Sequence, residues 1–134
     1  MELKCNKNCH AQYRLEYHLI LVTKYRKKCI SPLVMQYLMD ECRRLLALQG
    51  IELLEMNGEA DHVHLLISAP PQICLSNVIN SLKTSTSRLI RKKFKEHLEQ
   101  YYWKPYFWSR SYLILSSGGA PIEVIRKYIQ DQGK

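Results

Sequence analysis

The stretch Ile51-Glu52-Leu53-Leu54-Glu55-Met56-Asn57-Gly58, continued by Asp61-His62-Val63-His64-Leu65-Leu66-Ile67-Ser68, decides the fold. Ile51 to Met56 has the composition of a strand, and Asn57-Gly58 is the dipeptide that a tight hairpin turn favours. The return strand is expected over Asp61 to Ser68, ended by Pro70-Pro71. Successive side chains of a strand point to opposite faces, so Val63, Leu65 and Ile67 share one face while His62, His64 and Leu66 share the other. One face is suited to a core, and the other carries two imidazoles.

Working toward the N-terminus, Arg14 to Thr23 is apolar and β-branched toward its end and reads as a buried strand. Between it and the hairpin, Ser31-Pro32 forms a cap signal with proline at the first helical position, and Val34, Leu38, Cys42 and Leu45 recur at helical spacing up to Gly50. Toward the C-terminus, Leu75, Val78, Ile79, Leu82, Thr86, Leu89, Ile90 and Phe94 mark an amphipathic helix whose polar side holds Lys83, Arg88, Arg91, Lys92 and Lys95. A last strand is expected from Tyr106 to Leu115, then a Gly118-Gly119 joint and a short helix opened by Pro121. The order strand, helix, strand, strand, helix, strand is that of an α+β, ferredoxin-like (RRM-like) split β-α-β sandwich: a four-stranded antiparallel sheet with two helices on one face. The chain reads as a single domain, 1–134, with a core over 14–116 and an appended helix over 120–133. That topology places the histidine strand inside the sheet and leaves its second face open for a site.

Two imidazoles side by side suit convergence on one divalent cation, although the pair alone reads equally well as sheet-face histidines. In the final helix Tyr128 and Gln132 lie four residues apart and so project from the same side. Two nitrogens and an amide oxygen would leave positions on Mg²⁺ or Mn²⁺ open for phosphate oxygens. A tyrosine hydroxyl, with a pKa near 10, needs such polarisation of its electrophile to act as a nucleophile. In isolation, Tyr128 reads as packing beside Ile125 and Ile129. Asp61 and Glu59 beside the histidines read either as carboxylates that orient an imidazole or as ordinary turn acidity.

Lys and Arg outnumber Asp and Glu by 20 to 12, a formal charge of +8 that points to a polyanionic partner. Five cysteines without a C-x-x-C pair suggest reduced thiols rather than a disulfide framework or a four-ligand zinc site. Cys5, Cys9 and His10 lie close enough in sequence to share a metal, but a short polar leader is a poor setting for one. No apolar run approaches the ~18 residues of a membrane span, and the first residues lack the apolar stretch of a secretory signal. A cytoplasmic protein without a membrane partner is expected.

Four ordered segments together resemble the single-tyrosine HUH transposases of the insertion-sequence 200/605 (IS200-like) family. They are Tyr17-His18-Leu19 through Thr23-Lys24-Tyr25-Arg26, Asp61-His62-Val63-His64-Leu65-Leu66, Phe107-Trp108-Ser109-Arg110-Ser111-Tyr112, and Ile125-Arg126-Lys127-Tyr128-Ile129-Gln130-Asp131-Gln132-Gly133. The resemblance implies a metal-dependent endonuclease and strand transferase. In it Tyr128 attacks single-stranded DNA at an element end and becomes joined to the 5′ phosphate, and His62, His64 and Gln132 hold Mg²⁺ or Mn²⁺. It implies DNA with hairpin ends as the partner and a homodimer whose active sites can be shared between subunits; Gly118-Gly119 reads either as a hinge for such an exchange, since glycine accepts backbone angles other residues resist, or simply as a cap on the strand. Lys24, Arg26, Lys27, Lys28, Lys83, Arg88, Arg91 and Lys92 are candidates for phosphate contacts, and Tyr25, Trp103 or Tyr106 for base stacking. Three alternatives stand beside this reading. One is a domesticated relative acting on repeated palindromic chromosomal sequences. Another is a non-catalytic single-stranded nucleic-acid binder on the same sheet, and the third is a metal phosphodiesterase that uses water and dispenses with Tyr128.

Overall fold

A computed structural model describes residues 6–7, 12–116 and 122–132. Cys5, Cys9, His10, the Gly118-Gly119 joint and Pro121 lie outside the described residues. A small ribbon of β1 (Asn6–Lys7) and β2 (Gln12–Tyr13) precedes the main sheet. The main elements follow as β3 (Glu16–Val22), α1 (Pro32–Ala47), β4 (Glu52–Glu59), β5 (His62–Ser68), α2 (Leu75–Lys93), α3 (Lys95–Glu99), β6 (Leu113–Ser116) and α4 (Ile122–Asp131). The four-stranded sheet runs β4-β5-β3-β6 with every neighbouring pair antiparallel. With a helix after β3 and another after β5, this is the expected ferredoxin-like arrangement.

Alternation decides the layering. Val63, Leu65 and Ile67 of β5 are fully buried and join Leu19 and Leu21 of β3 in one cluster with Val34, Leu38, Cys42 and Leu46 of α1 and Val78, Ile79, Leu82 and Ile90 of α2. Each such side chain contributes about 1.5–3 kcal/mol when removed from water. α1 begins as its sequence dictates: the Ser31 side chain accepts from the Val34 N–H at 3.3 Å, and Pro32 occupies the first turn. It ends at Gly50, whose φ of +74° lets the Ile51 N–H reach back to the Leu46 carbonyl at 3.0 Å.

The hairpin turn differs from the sequence expectation. Asn57 and Gly58 are inside β4, and the turn falls at Ala60-Asp61, with Glu59 opposite His62. A turn at 57–58 would set Met56 against Glu59 and Leu53 against His62. The observed register pairs Met56 with Leu65 and Leu53 with Ile67, burying apolar side chains together, with one shift at Leu54 to maintain it. Gly58 answers a different need: a Cβ there would lie 2.3 Å from the His62 carbonyl oxygen.

The last strand is also shorter than expected. Phe107 and Trp108 are both buried but lie outside the strand, which covers only Leu113–Ser116. Trp108 makes an isolated bridge to Thr23 and donates its Nε1–H to Thr86 Oγ1 at 2.9 Å, while pairing resumes only at Leu113. The break at Phe94 that starts α3 lies within the segment the periodicity reads as one helix. Among the described residues, no helix is long and apolar enough to cross a membrane.

Candidate active site

The open face of the sheet carries His62 and His64 on β5 with His18 and Ile20 on β3, Ile20 lying opposite His64 and Val22 opposite His62. Asp61, in the turn that begins β5, is fixed by its backbone: its carbonyl oxygen accepts from the Thr23 N–H at 3.0 Å and from Thr23 Oγ1 at 3.1 Å. Its buried carboxylate receives Arg26 Nε at 2.8 Å on one oxygen and meets His62 Nδ1 at 2.8 Å on the other. Arg26 gets there through an unusual turn in which Tyr25 (φ 58°) and Arg26 (φ 56°) are both left-handed, a conformation that costs about 1–2 kcal/mol per residue. Burial opposes ionisation of Asp61, but the hydrogen bonds and charges of His62 and Arg26 outweigh it and hold the carboxyl below its usual range. An ionised Asp61 accepts from His62 Nδ1–H, which leaves the Nε2 lone pair as the ligating atom.

His64 is held differently. Its Nε2 lies 2.7 Å from His18 Nδ1, with the ring centroids 4.9 Å apart. Burial, followed by the proximity of His18 and His62, lowers the pKa of His64, so the ring is neutral at pH 7 and retains a lone pair.

Glu59, Asp61 and His62 offer ligand atoms within 4.8 Å of one another, a group able to hold a divalent cation. Both Asp61 oxygens are already engaged, by Arg26 and by His62. The donor chemistry therefore favours Asp61 as the group that orients His62 and leaves imidazole nitrogen as the cation-facing atom.

α4 lies alongside this face within the same chain. Ile125, Arg126, Ile129 and Gln130 wall a cleft whose other side is Arg26, Glu59 and His62. Tyr128 and Gln132 sit one turn apart over the segment before β6. The Tyr128 hydroxyl is 2.7 Å from Ser111 Oγ, and Gln132 Oε1 accepts from Ser109 Oγ at 2.9 Å and Ser111 Oγ at 3.0 Å. Burial raises the Tyr128 pKa, with the Ser111 hydrogen bond opposing it. The structure thus brings His62 together with Asp61 and Glu59, and Tyr128 together with Gln132. Among the described residues, no hydrogen bond joins the two sets. His18, Ser109 and Ser111 had no assigned role in the sequence reading. Their contacts depend on strand register and on a chain reversal, neither of which has a local signature.

Several basic candidates have structural partners. Lys24 Nζ sits 5.2 Å from the ring centroids of both Tyr25 and Tyr106. Lys83 Nζ donates to the Arg110 and Ser111 carbonyls at 2.7 and 3.3 Å, and Arg91 Nε donates to Ser87 Oγ at 3.2 Å. Lys27, Lys28, Arg88 and Lys92 are exposed. Trp103 is 87% exposed and, with Arg91, Lys95, Lys104 and Tyr106, borders a cleft beside α3.

The site thus sets an imidazole pair on the open face of a ferredoxin-like sheet, with the helix that carries Tyr128 laid beside it. The sequence model described as IS200-like transposase matches residues 11–132, and the chain belongs to that family. It is 34% identical to the ISDra2 transposase TnpA of Deinococcus radiodurans over 98% of this chain and 94% of that protein. It is 27% identical to the transposase for insertion sequence element IS200 of Salmonella typhimurium, over 92% of this chain and 80% of that protein. A crystal structure of a Deinococcus radiodurans transposase superposes with a TM-score of 0.83 at 33% identity, covering 95% of this chain and 97% of that one. A REP-associated tyrosine transposase bound to a REP hairpin shares the fold, with a TM-score of 0.58 at 9% identity over 92% of this chain and 68% of that one.

Proposed function

We propose that this transposase cleaves and rejoins single-stranded DNA at element ends through Tyr128. The observation that carries the reading is the placement of the tyrosine helix beside His62 in one chain, with Ile125 and Ile129 bordering the same cleft as that imidazole. In the reaction the Tyr128 oxygen forms a bond to the scissile phosphorus and the bond from phosphorus to the 3′ oxygen breaks. The phenolic proton is lost to solvent, and the departing 3′ oxygen takes one up. A 5′ phosphotyrosine link and a free 3′ hydroxyl result, and reversal with another 3′ hydroxyl rejoins the strand without external energy. His62, oriented by Asp61, and His64, with Gln132 once it is released from the serines, would hold Mg²⁺ or Mn²⁺, which when bound supplies Lewis-acid polarisation of the phosphate. Arg26 keeps Asp61 ionised and thereby keeps the His62 tautomer fixed.

Lys24, Lys27, Lys28, Arg88, Arg91 and Lys92 are the proposed backbone contacts, and Tyr25, Trp103 and Tyr106 the stacking rings, for DNA with hairpin ends. The hairpin bound by the REP-associated relative supports this substrate form. A homodimer is part of the reading, with the tail helix able to serve its own or its partner's histidines. The test is incubation with labelled single-stranded element ends and Mn²⁺, followed by denaturing electrophoresis. The wild type is expected to form a protein–DNA adduct and Tyr128→Phe none; cleavage by Tyr128→Phe at the wild-type rate would overturn the mechanism.

A further inference from the structure

The hydrogen bonds around Tyr128 and Gln132 have a forced direction. Gln132 Oε1 is an acceptor only and has two lone pairs, so both serine hydroxyls donate to it and its capacity is filled. Ser111 has a single hydroxyl hydrogen, spent on Gln132, so it accepts from the Tyr128 hydroxyl. The order is Tyr128 O–H to Ser111, Ser111 to Gln132, and Ser109 to Gln132. Lys83 braces the serine segment from α2 by donating to the Arg110 and Ser111 carbonyls. Meanwhile the cleft at His62 is walled by Ile125 and Ile129, the neighbouring face of the same helix.

We propose that Ser109 and Ser111 are positioning residues that clasp the tyrosine helix in a resting seat, in which the Gln132 oxygen is saturated and must be released before it can ligate a cation. The clasp and ligation are mutually exclusive at one atom, so cation binding draws the helix out of its seat and the serines set the apparent affinity. The inference rests on the reading of Gln132 as a ligand.

The experiment has two arms on the full-length protein. Hydrogen exchange without metal compares α4 amides in the wild type and in the Ser109→Ala/Ser111→Ala variant, and the variant is expected to exchange faster. Calorimetric titration with MnCl₂ is expected to show apparent affinity about tenfold tighter in that variant, since each lost neutral hydrogen bond is worth a factor of about 2–10 and the closed population taxes binding. Adding Gln132→Ala to the double variant should abolish the gain, and Ser109→Thr/Ser111→Thr, which keeps the hydroxyls, should restore wild-type affinity. Unchanged or weaker Mn²⁺ binding in the alanine variant, or unchanged α4 exchange, overturns the clasp. Thermal melting checks that the variants fold, and the single Ser111→Ala change, at an exposed position, provides the same comparison should the double variant melt early. Failure of the Tyr128→Phe adduct test would instead overturn the proposed chemistry while leaving the exchange result intact.

Discussion

Replacing Gly58 with alanine tests whether the scaffold and the proposed cation site are one mechanical unit. The new Cβ would fall 2.3 Å from the His62 carbonyl oxygen and 2.8 Å from Val63 Cα. Both atoms are backbone, and neither can turn aside as a side-chain end would. Overpacking of this kind costs about 1–3 kcal/mol, and restriction of the unfolded chain by alanine returns about 0.4–1 kcal/mol. The net expectation is a loss of about 1–2 kcal/mol, which for a domain of this size lowers Tm by about 3–10 °C. Because the displaced carbonyl belongs to His62, Mn²⁺ affinity measured by calorimetry should fall as well. Gly50→Ala is the control. Its φ of +74° is strained for alanine but nothing lies within 4 Å, so about 1 kcal/mol of stability should go without any change in Mn²⁺ affinity. A Gly58→Ala protein with wild-type melting temperature, or one that is destabilised yet binds Mn²⁺ normally, would refute the coupling.

Thr86→Val keeps shape but removes the acceptor of the buried Trp108 Nε1–H, so chemical denaturation should report a loss of about 1–3 kcal/mol, whereas Thr86→Ser should retain most of it; equal stability of Val and Ser variants would refute that account. The depressed pKa of His64 makes stability pH-dependent: its contribution is fully present above the unfolded value of 6.5 and is lost as pH falls through the lower folded value. The metal-free wild type should therefore melt progressively lower below pH 6.5, and His64→Gln should flatten that slope; identical slopes would remove burial of His64 as the cause.

What could be read from residues alone follows the range of the interactions. Alternation in Val63, Leu65 and Ile67 against His62 and His64 is local, and it gave both the core face and the open face. The Ser31-Pro32 start of α1 is equally local. The Ala60-Asp61 turn escaped notice because Asn57-Gly58 carries a strong turn signal, and only pairing of Met56 with Leu65 and Leu53 with Ile67 overrides it. The late start of the last strand has a tertiary cause, the donation from Trp108 to Thr86 on α2. His18 becomes part of the site only when β3 is laid beside β5, which sets it diagonally across from His64. Ser109 and Ser111 meet α4 because the chain leaves the sheet between Trp108 and Leu113, a reversal that the residues 109–112 do not announce by composition.

The scaffold and the proposed site are held by contacts of different strength. The sheet and helices are held by fully buried Leu19, Leu21, Val63, Leu65 and Ile67, each worth about 1.5–3 kcal/mol. Two of the groups proposed to hold the cation are kept by exchangeable polar contacts, His64 Nε2 by His18 and Gln132 Oε1 by two serines, each worth about 0.5–1.5 kcal/mol net. Only His62 is locked, because an ionised and buried Asp61 grips its Nδ1 and Arg26 grips Asp61. On the proposed reading that asymmetry predicts an order: a cation would be met first by the preset His62 Nε2, and its binding would then compete with the His18 and serine contacts. Asp61→Asn should therefore harm the first encounter, and the serine substitutions should ease the last step, so the two changes are expected to shift Mn²⁺ affinity in opposite directions.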